Sequence, residues 1–305
     1  MPCGYRLGKA TIIRFQGKDR CRVVNNLCTQ DLRKLSSGQA AETFVTDVKG
    51  RTVGHGIACE IGDEIFFVTV PGQADRLVPH FDRYIIREDA IISDQSDAKE
   101  IWLFQDRASA AMAFDVSIDQ TPDIRRAAIL TIDEKTVLLI HAAWIGETSL
   151  IALVPPDLSE SVKHRLGSDW VDSDLDVRKE WEAKRIRAFW PWYGVDMDDR
   201  NLPQELDRND QAISFNKGCY LGQETIARLD ALGQVQKKLV RLRIDSSLVP
   251  HAESTLHKDG KEVGWIRSAA MDEDSRTCIA LGYVKRSHFQ SGQALEINES
   301  TASVL

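Results

Sequence analysis

Nothing in this 305-residue sequence approaches the run of ~18–20 apolar residues needed to cross a bilayer. Residues 1–20 hold neither a signal-peptide core nor an Arg/Ser-rich transit helix, so the expected setting is the cytoplasm. Cysteine is scarce: Cys3, Cys21, Cys28, Cys59, Cys219 and Cys278 are too sparse for a disulfide framework, and no two stand at CxxC spacing. The seven histidines form no HxxxH pair, so neither zinc nor an iron–sulfur cluster is built from local ligand pairs. Also missing are GxxxxGK[ST], a GxGxxG after a strand and GxSxG, which counts against ATP-driven, Rossmann redox and α/β-hydrolase chemistry. Positive charge is not in excess: 39 Lys+Arg against 46 Asp+Glu give −7, and no global field gathers nucleic acid or anionic lipid.

What is present is an ordinary globular composition, 43% hydrophobic and 28% charged, in a chain long enough for two domains. Residues 10–15 alternate as a strand, Gly17 and Lys18 make a turn, and Asp19 can cap a helix carrying Val23, Val24 and Leu27. A short helix is expected from Asp31 to about Gly38, then a meander of strands at 42–46, 51–60 and 64–70. A helix over 73–86, disturbed by Pro79, and a strand near 90–93 follow. The same order recurs over 101–166, which predicts a second α+β lobe. Asp176 can cap a helix from Val177 to about Ala188, and 195–218 reads as a long irregular loop of the kind that is usually functional. Beyond Val240 short alternating segments predict a small β-barrel. The expected domains are 1–238, in lobes of about 1–95 and 96–238, and 239–305.

The most informative segment is Lys217-Gly218-Cys219-Tyr220-Leu221-Gly222-Gln223-Glu224. Composition turns helical after Gly222, so Cys219 lies just ahead of a helix N-terminus and two residues from Lys217, both of which favour a thiolate. The bland alternative is a small buried thiol that fits beside two glycines.

This segment resembles the signature of the YgfZ-type folate-binding proteins, which are linked to iron–sulfur enzyme maintenance. The likeness extends through Leu202–Glu205, Ala212–Phe215, Ala227-Arg228 and Lys237-Lys238. It includes Asn25-Asn26, Thr29-Gln30-Asp31, residues 46–51, Gly260–Arg267 and Ile279–Val284. The wider superfamily holds the glycine cleavage T-protein, an aminomethyltransferase. The resemblance implies a T-protein-like α+β fold: two lobes with antiparallel sheets, a C-terminal barrel, and tetrahydrofolate or another folate in a central channel. It implies chemistry at Cys219 with Lys217, and cofactor contacts from Trp181, Arg187, Gln223, Glu224 and Arg228. Implied partners are folate and iron–sulfur client enzymes or assembly factors, with the chain a monomer that binds neither nucleic acid nor membrane directly. The alternative is a tetrahydrofolate-dependent aminomethyltransferase or related demethylase. The T-protein has two acids where Gly54 and His55 stand here, a pterin-gripping glutamate in place of Arg187, and glycine in place of Phe189. Methylene transfer by that mechanism therefore lacks its general acid/base.

Overall fold

The computed structural model describes residues 3–172, 178–233, 235–272 and 275–305, without the side chains of 178–180. In chain order the first elements are β1 (Gly4–Gly8), β2 (Thr11–Gln16), α1 (Arg20–Leu27), β3 (Gln39–Thr46), β4 (Thr52–Ile61) and β5 (Glu64–Thr69). Next come α2 (Ala74–Asp82), β6 (Ile91–Asp94), β7 (Glu100–Phe104), α3 (Arg107–Phe114), β8 (Ala127–Ile132) and β9 (Lys135–His141). They are followed by β10 (Leu150–Val154), α4 (Ser159–Leu166), β11 (Trp170–Asp172), α5 (Arg178–Arg187), α6 (Asn209–Ala212) and α7 (Gln223–Leu232). The last six strands are β12 (Lys237–Ile244), β13 (Thr255–Lys258), β14 (Lys261–Met271), β15 (Cys278–Lys285), β16 (Ala294–Ile297) and β17 (Ser300–Val304).

Three units result, as the α+β expectation requires. The first lobe is a five-stranded sheet in the order β3-β4-β5-β2-β6, and the last six strands close a barrel. The second lobe has the order β11-β1-β7-β10-β9-β8. Reading β7–β11 as the counterparts of β2–β6 makes the two orders equivalent, except that β1 is inserted between β7 and β11. It pairs antiparallel with β7 and parallel with β11. The lobes are therefore not contiguous in sequence: the expected cut at 95 leaves β1 on the wrong side. Alternation had no purchase on Gly4–Gly8, a strand with a glycine at each end.

The equivalent edges β3 and β8 meet through an antiparallel bridge between Gln39 and Arg126, with the amide of Ala40 donating to Arg125 (2.9 Å) and that of Ala127 to Gly38 (3.0 Å). Alternating inward residues such as Ile13, Phe15, Val45 and Phe67 bury one core under α1 and α2. Trp102, Phe104, Leu139 and Ala152 bury another under α3 and α4. Pro79 sits inside α2 without ending it. Asp31 opens only a 3-10 turn at Leu32–Lys34, and Asp19 does not cap α1 with its side chain, which accepts from the amide of Asp89 instead (2.9 Å). The helix start expected at Asp176 and Val177 lies outside the described residues; α5 is described from Arg178. Among the described residues no helix is long and apolar enough to cross a membrane.

A buried charge network locks the barrel to the lobes. Arg185 on α5 is almost wholly enclosed and donates to Asp196 Oδ2 (2.6 Å), Glu182 (2.5 and 3.0 Å), the carbonyl of Trp190 (2.6 Å) and Ser268 Oγ on β14 (2.9 Å). Ser268 in turn donates to Asp196 Oδ1 (2.5 Å). Every charge here has an opposite partner, the condition on which buried ions persist.

Candidate functional site

The separated motifs of the sequence fold into one assembly. Lys217 is buried and its Nζ donates to three main-chain carbonyls at the end of α1 and just beyond: Asn25 (2.8 Å), Cys28 (2.8 Å) and Gln30 (2.7 Å). An ammonium has three N–H donors, so this cage satisfies it. Burial pulls its pKa down to about 8, which leaves it charged at neutral pH. The amide of Leu221 donates to Asn26 (2.8 Å), that of Ser214 to Thr29 (2.9 Å), and Thr29 Oγ1 to the carbonyl of Ala212 (2.6 Å). Thr46 Oγ1 donates to the carbonyl of Leu221 (2.7 Å), bringing the turn after β3 against the same loop. Lys217 is thus a clamp that shapes the loop, which corrects its expected role as the charge that activates Cys219.

Of the six cysteines Cys219 is exposed, Cys3 and Cys21 are partly buried, and Cys28, Cys59 and Cys278 are buried. The buried-filler alternative is excluded. The thiol lines an open cavity of about 390 Å³ with Val23, Leu27, Tyr84 and Tyr220 and the charged Arg22 and Glu88. Helix α7 starts at Gln223 behind Gly222, as the composition predicts, with Cys219 just ahead of it. Burial pushes the thiols of Cys28 and Cys59 up to about 12 and raises that of Cys21, which holds them protonated and inert at neutral pH.

Gln223 Oε1 accepts from the amide of Tyr220 (3.3 Å), which makes it a loop brace, while Glu224 and Arg228 are solvent-exposed on α7. Arg187 turns to the barrel, where it pairs with Asp272 (Nε to Oδ1 3.1 Å). Its carbonyl accepts from Arg241 (2.8 Å). Trp181 is buried in an aromatic chain: its ring lies 5.1 Å from Trp192, Trp192 5.7 Å from Trp144, Trp144 5.7 Å from Trp190, and Trp190 4.6 Å from His55. His55 also stacks on Phe44 (4.6 Å), so it is a packed residue. Its Nε2 lies 2.8 Å from Glu42 Oε1, while its Nδ1 and the indole Nε1 atoms of Trp144 and Trp181 are buried without partners among the described residues.

Sequence reasoning missed Glu42 and Arg208. Arg208 makes a bidentate pair with Glu42 (Nη2 to Oε2 2.5 Å) and donates to the carbonyl of Phe189 (2.8 Å). Burial raises the Glu42 carboxyl, but Arg208 and His55 outweigh it and hold the group down at about 2. Phe189, where the resembling families have glycine, keeps the left-handed backbone glycine favours (φ +55°), and this carbonyl contact helps hold it there. Glu42 and Arg208 line a cavity of about 320 Å³ between the lobes, together with Trp190 and His141. No short-range pattern could reveal a pair so distant in sequence.

A side chain at Gly54 would have to displace Leu77: a Cβ there would stand 2.8 Å from Leu77 Cδ2, and Leu77 is fully buried. Among the described residues no cluster of three or more His, Cys, Asp or Glu could hold a metal ion.

Residues 237–302 match the glycine cleavage T-protein C-terminal barrel domain family. The whole chain superposes on the glycine cleavage system aminomethyltransferase T of Bartonella henselae with a TM-score of 0.86, covering 99% of this chain and 84% of that one at 14% identity. The fold is thus that of the glycine cleavage aminomethyltransferase T. In sequence the chain is 24% identical over 275 residues to the tRNA-modifying protein YgfZ of Yersinia pseudotuberculosis, covering 88% of this chain and 80% of the relative. It is also 24% identical over 300 residues to a chloroplastic protein of Arabidopsis thaliana whose name classes it provisionally as a transferase, covering 96% of this chain and 67% of that one. The likeness to YgfZ thus runs through most of the chain and is not confined to the barrel.

Proposed function

We propose that this chain is a folate-binding accessory protein that supports assembly or repair of iron–sulfur clusters in client enzymes. The observation that carries the reading is the presentation of Cys219 on an open cleft by a loop that three separate motifs hold in place. Such a thiol is built to meet another macromolecule's reactive group, while the buried cysteines are not.

We place the folate at the aromatic chain. Its partnerless buried groups, Nε1 of Trp144 and Trp181 and Nδ1 of His55, are the polar atoms a flat heteroaromatic ring would satisfy, and the indole faces supply stacking area. When bound, tetrahydrofolate supplies a carrier for one-carbon units. The residues of this chain bind and orient it: Trp181 and Trp144 donate, and Glu42 fixes His55 through Nε2. The Arg187–Asp272 pair stands where the T-protein offers its pterin an acid, so binding weaker than that protein's is expected. Gly54, backed by Leu77, speaks against aminomethyl transfer.

The test has two arms. Tryptophan fluorescence titrated with tetrahydrofolate should quench saturably, and no quenching at millimolar ligand would end the folate reading. Cells carrying Cys219→Ala should lose activity of iron–sulfur enzymes while the protein stays folded, and normal client activity would end the accessory reading.

A further inference from the structure

A further cavity, of about 170 Å³, lies where the barrel meets the 195–201 loop, away from Cys219 and the aromatic chain; its wall includes Asn201, Lys237, Trp265 and Tyr283. The acids on this wall are already engaged. Asp198 holds Arg200 (3.1 Å to Nε), Glu253 pairs with Arg267, and Arg267 Nε donates to the carbonyl of Val195 (2.8 Å). Asn201 donates to Glu205 (2.9 Å) and accepts from the amide of Asp198 (3.1 Å).

One donor on this wall is only loosely engaged and a second is unpartnered among the described residues. Lys237 Nζ sits over the rings of Tyr283 (4.8 Å) and Trp265 (5.3 Å), and its nearest carboxylate oxygen, on Glu205, is 3.8 Å away, beyond a hydrogen bond. The hydroxyl of Tyr283, a residue only 2% exposed, is buried without a partner among the described residues. Buried polar groups are nearly always satisfied, so an orphaned hydroxyl beside a half-buried ammonium on a cavity wall marks a missing acceptor. The ring faces of Trp265 and Tyr283, 5.5 Å apart, give that acceptor a flat apolar body to rest on.

We infer that this cavity binds a small carboxylate on an aromatic or similarly flat frame, the carboxylate accepting from Lys237 and Tyr283 and the frame lying against Trp265. The size sets the limit, since a cavity of ~150 Å³ takes a benzene ring. The inference does not depend on folate binding, because none of its residues belongs to the aromatic chain.

The experiment titrates the full-length chain with benzoate, with benzamide as its uncharged match, by calorimetry and ligand-observed NMR. Benzoate is expected to bind saturably at low millimolar concentration and benzamide at least about tenfold more weakly. Tyr283→Phe keeps the ring and removes only the hydroxyl, and should weaken benzoate about fivefold or more; Lys237→Met should weaken it about tenfold or more. Lys238→Met, whose ammonium pairs with Asp207 (2.7 Å), should leave it unchanged. Equal binding of benzamide, undiminished binding in Tyr283→Phe, or no saturable binding at about 10 mM benzoate would each overturn the proposal. If Lys237→Met does not fold, Tyr283→Phe and benzamide carry the test alone.

Discussion

The backbones of Gly222 and Gly50 touch: a Cβ built on Gly222 would lie 2.6 Å from the Cα of Gly50 and 2.3 Å from the carbonyl oxygen of Asp47. Both residues also have positive φ, +79° and +75°. Two motifs far apart in the sequence are thus mutual packing partners that tolerate no side chain at their contact, and this contact sets the height at which the Cys219 loop stands over the first lobe.

Gly222→Ala should therefore lower stability by more than about 2 kcal/mol, since steric overlap adds to left-handed backbone strain. Gly146→Ala, with open space around it and no positive φ, should stay within about 0.5 kcal/mol. Urea unfolding of the two variants checks the difference.

Replacing Lys217 with Met should cost about 2–4 kcal/mol, because the carbonyls of Asn25, Cys28 and Gln30 lose their shared donor. Alkylation of Cys219 by iodoacetamide should not slow in this variant, because the ammonium is spent on the carbonyl cage. A slower reaction would restore the electrostatic role for Lys217.

The Glu42 carboxyl gives the acid limb of the stability curve. Its folded pKa, about 2, lies below its ordinary 4.5, so its stabilisation is fully present above pH 4.5 and is lost as pH falls toward 2. Glu42→Gln leaves Arg208 buried without its counter-charge and should cost about 3–5 kcal/mol at pH 7. The variant should also show a flatter loss of stability between pH 4.5 and 2, measured by denaturant midpoints across that range.

Restoring an acid at position 54 should not create an aminomethyltransferase. Gly54→Asp would force its Cβ against buried Leu77, costing about 1–3 kcal/mol from overpacking alone. No folate-dependent ammonia release above background is expected from either the native chain or this variant, and turnover near 1 s⁻¹ or faster in the native chain would contradict the reading of the site.

Much of the fold was legible because its strands obey a simple period: β3, β4 and β5 fall within three residues of the expected bounds. The barrel announced itself by short alternating segments. The KGCYLGQE segment was legible as special, but its physics was misread. Two residues of separation in sequence suggested that Lys217 faces Cys219, while in space the ammonium points into carbonyls brought from the end of α1. Glu42 with Arg208, and Arg185 with Asp196, left no trace in the sequence, because a charged residue on a strand or loop looks solvated until its distant partner is known. The insertion of β1 was hidden for the same reason: pairing across sheets is decided by which edge remains open.

That insertion has a consequence for the order of events during synthesis. Strand β1 leaves the ribosome well before β7 and β11, the two strands between which it lies. The first lobe already has all its strands by Asp94 and can close while β1 still hangs free, a bare row of amides and carbonyls with nothing to pair with. A strand made early in this chain is therefore docked late. The step most exposed to chaperones and to mispairing between nascent copies is the docking of Gly4–Gly8 between its two late neighbours.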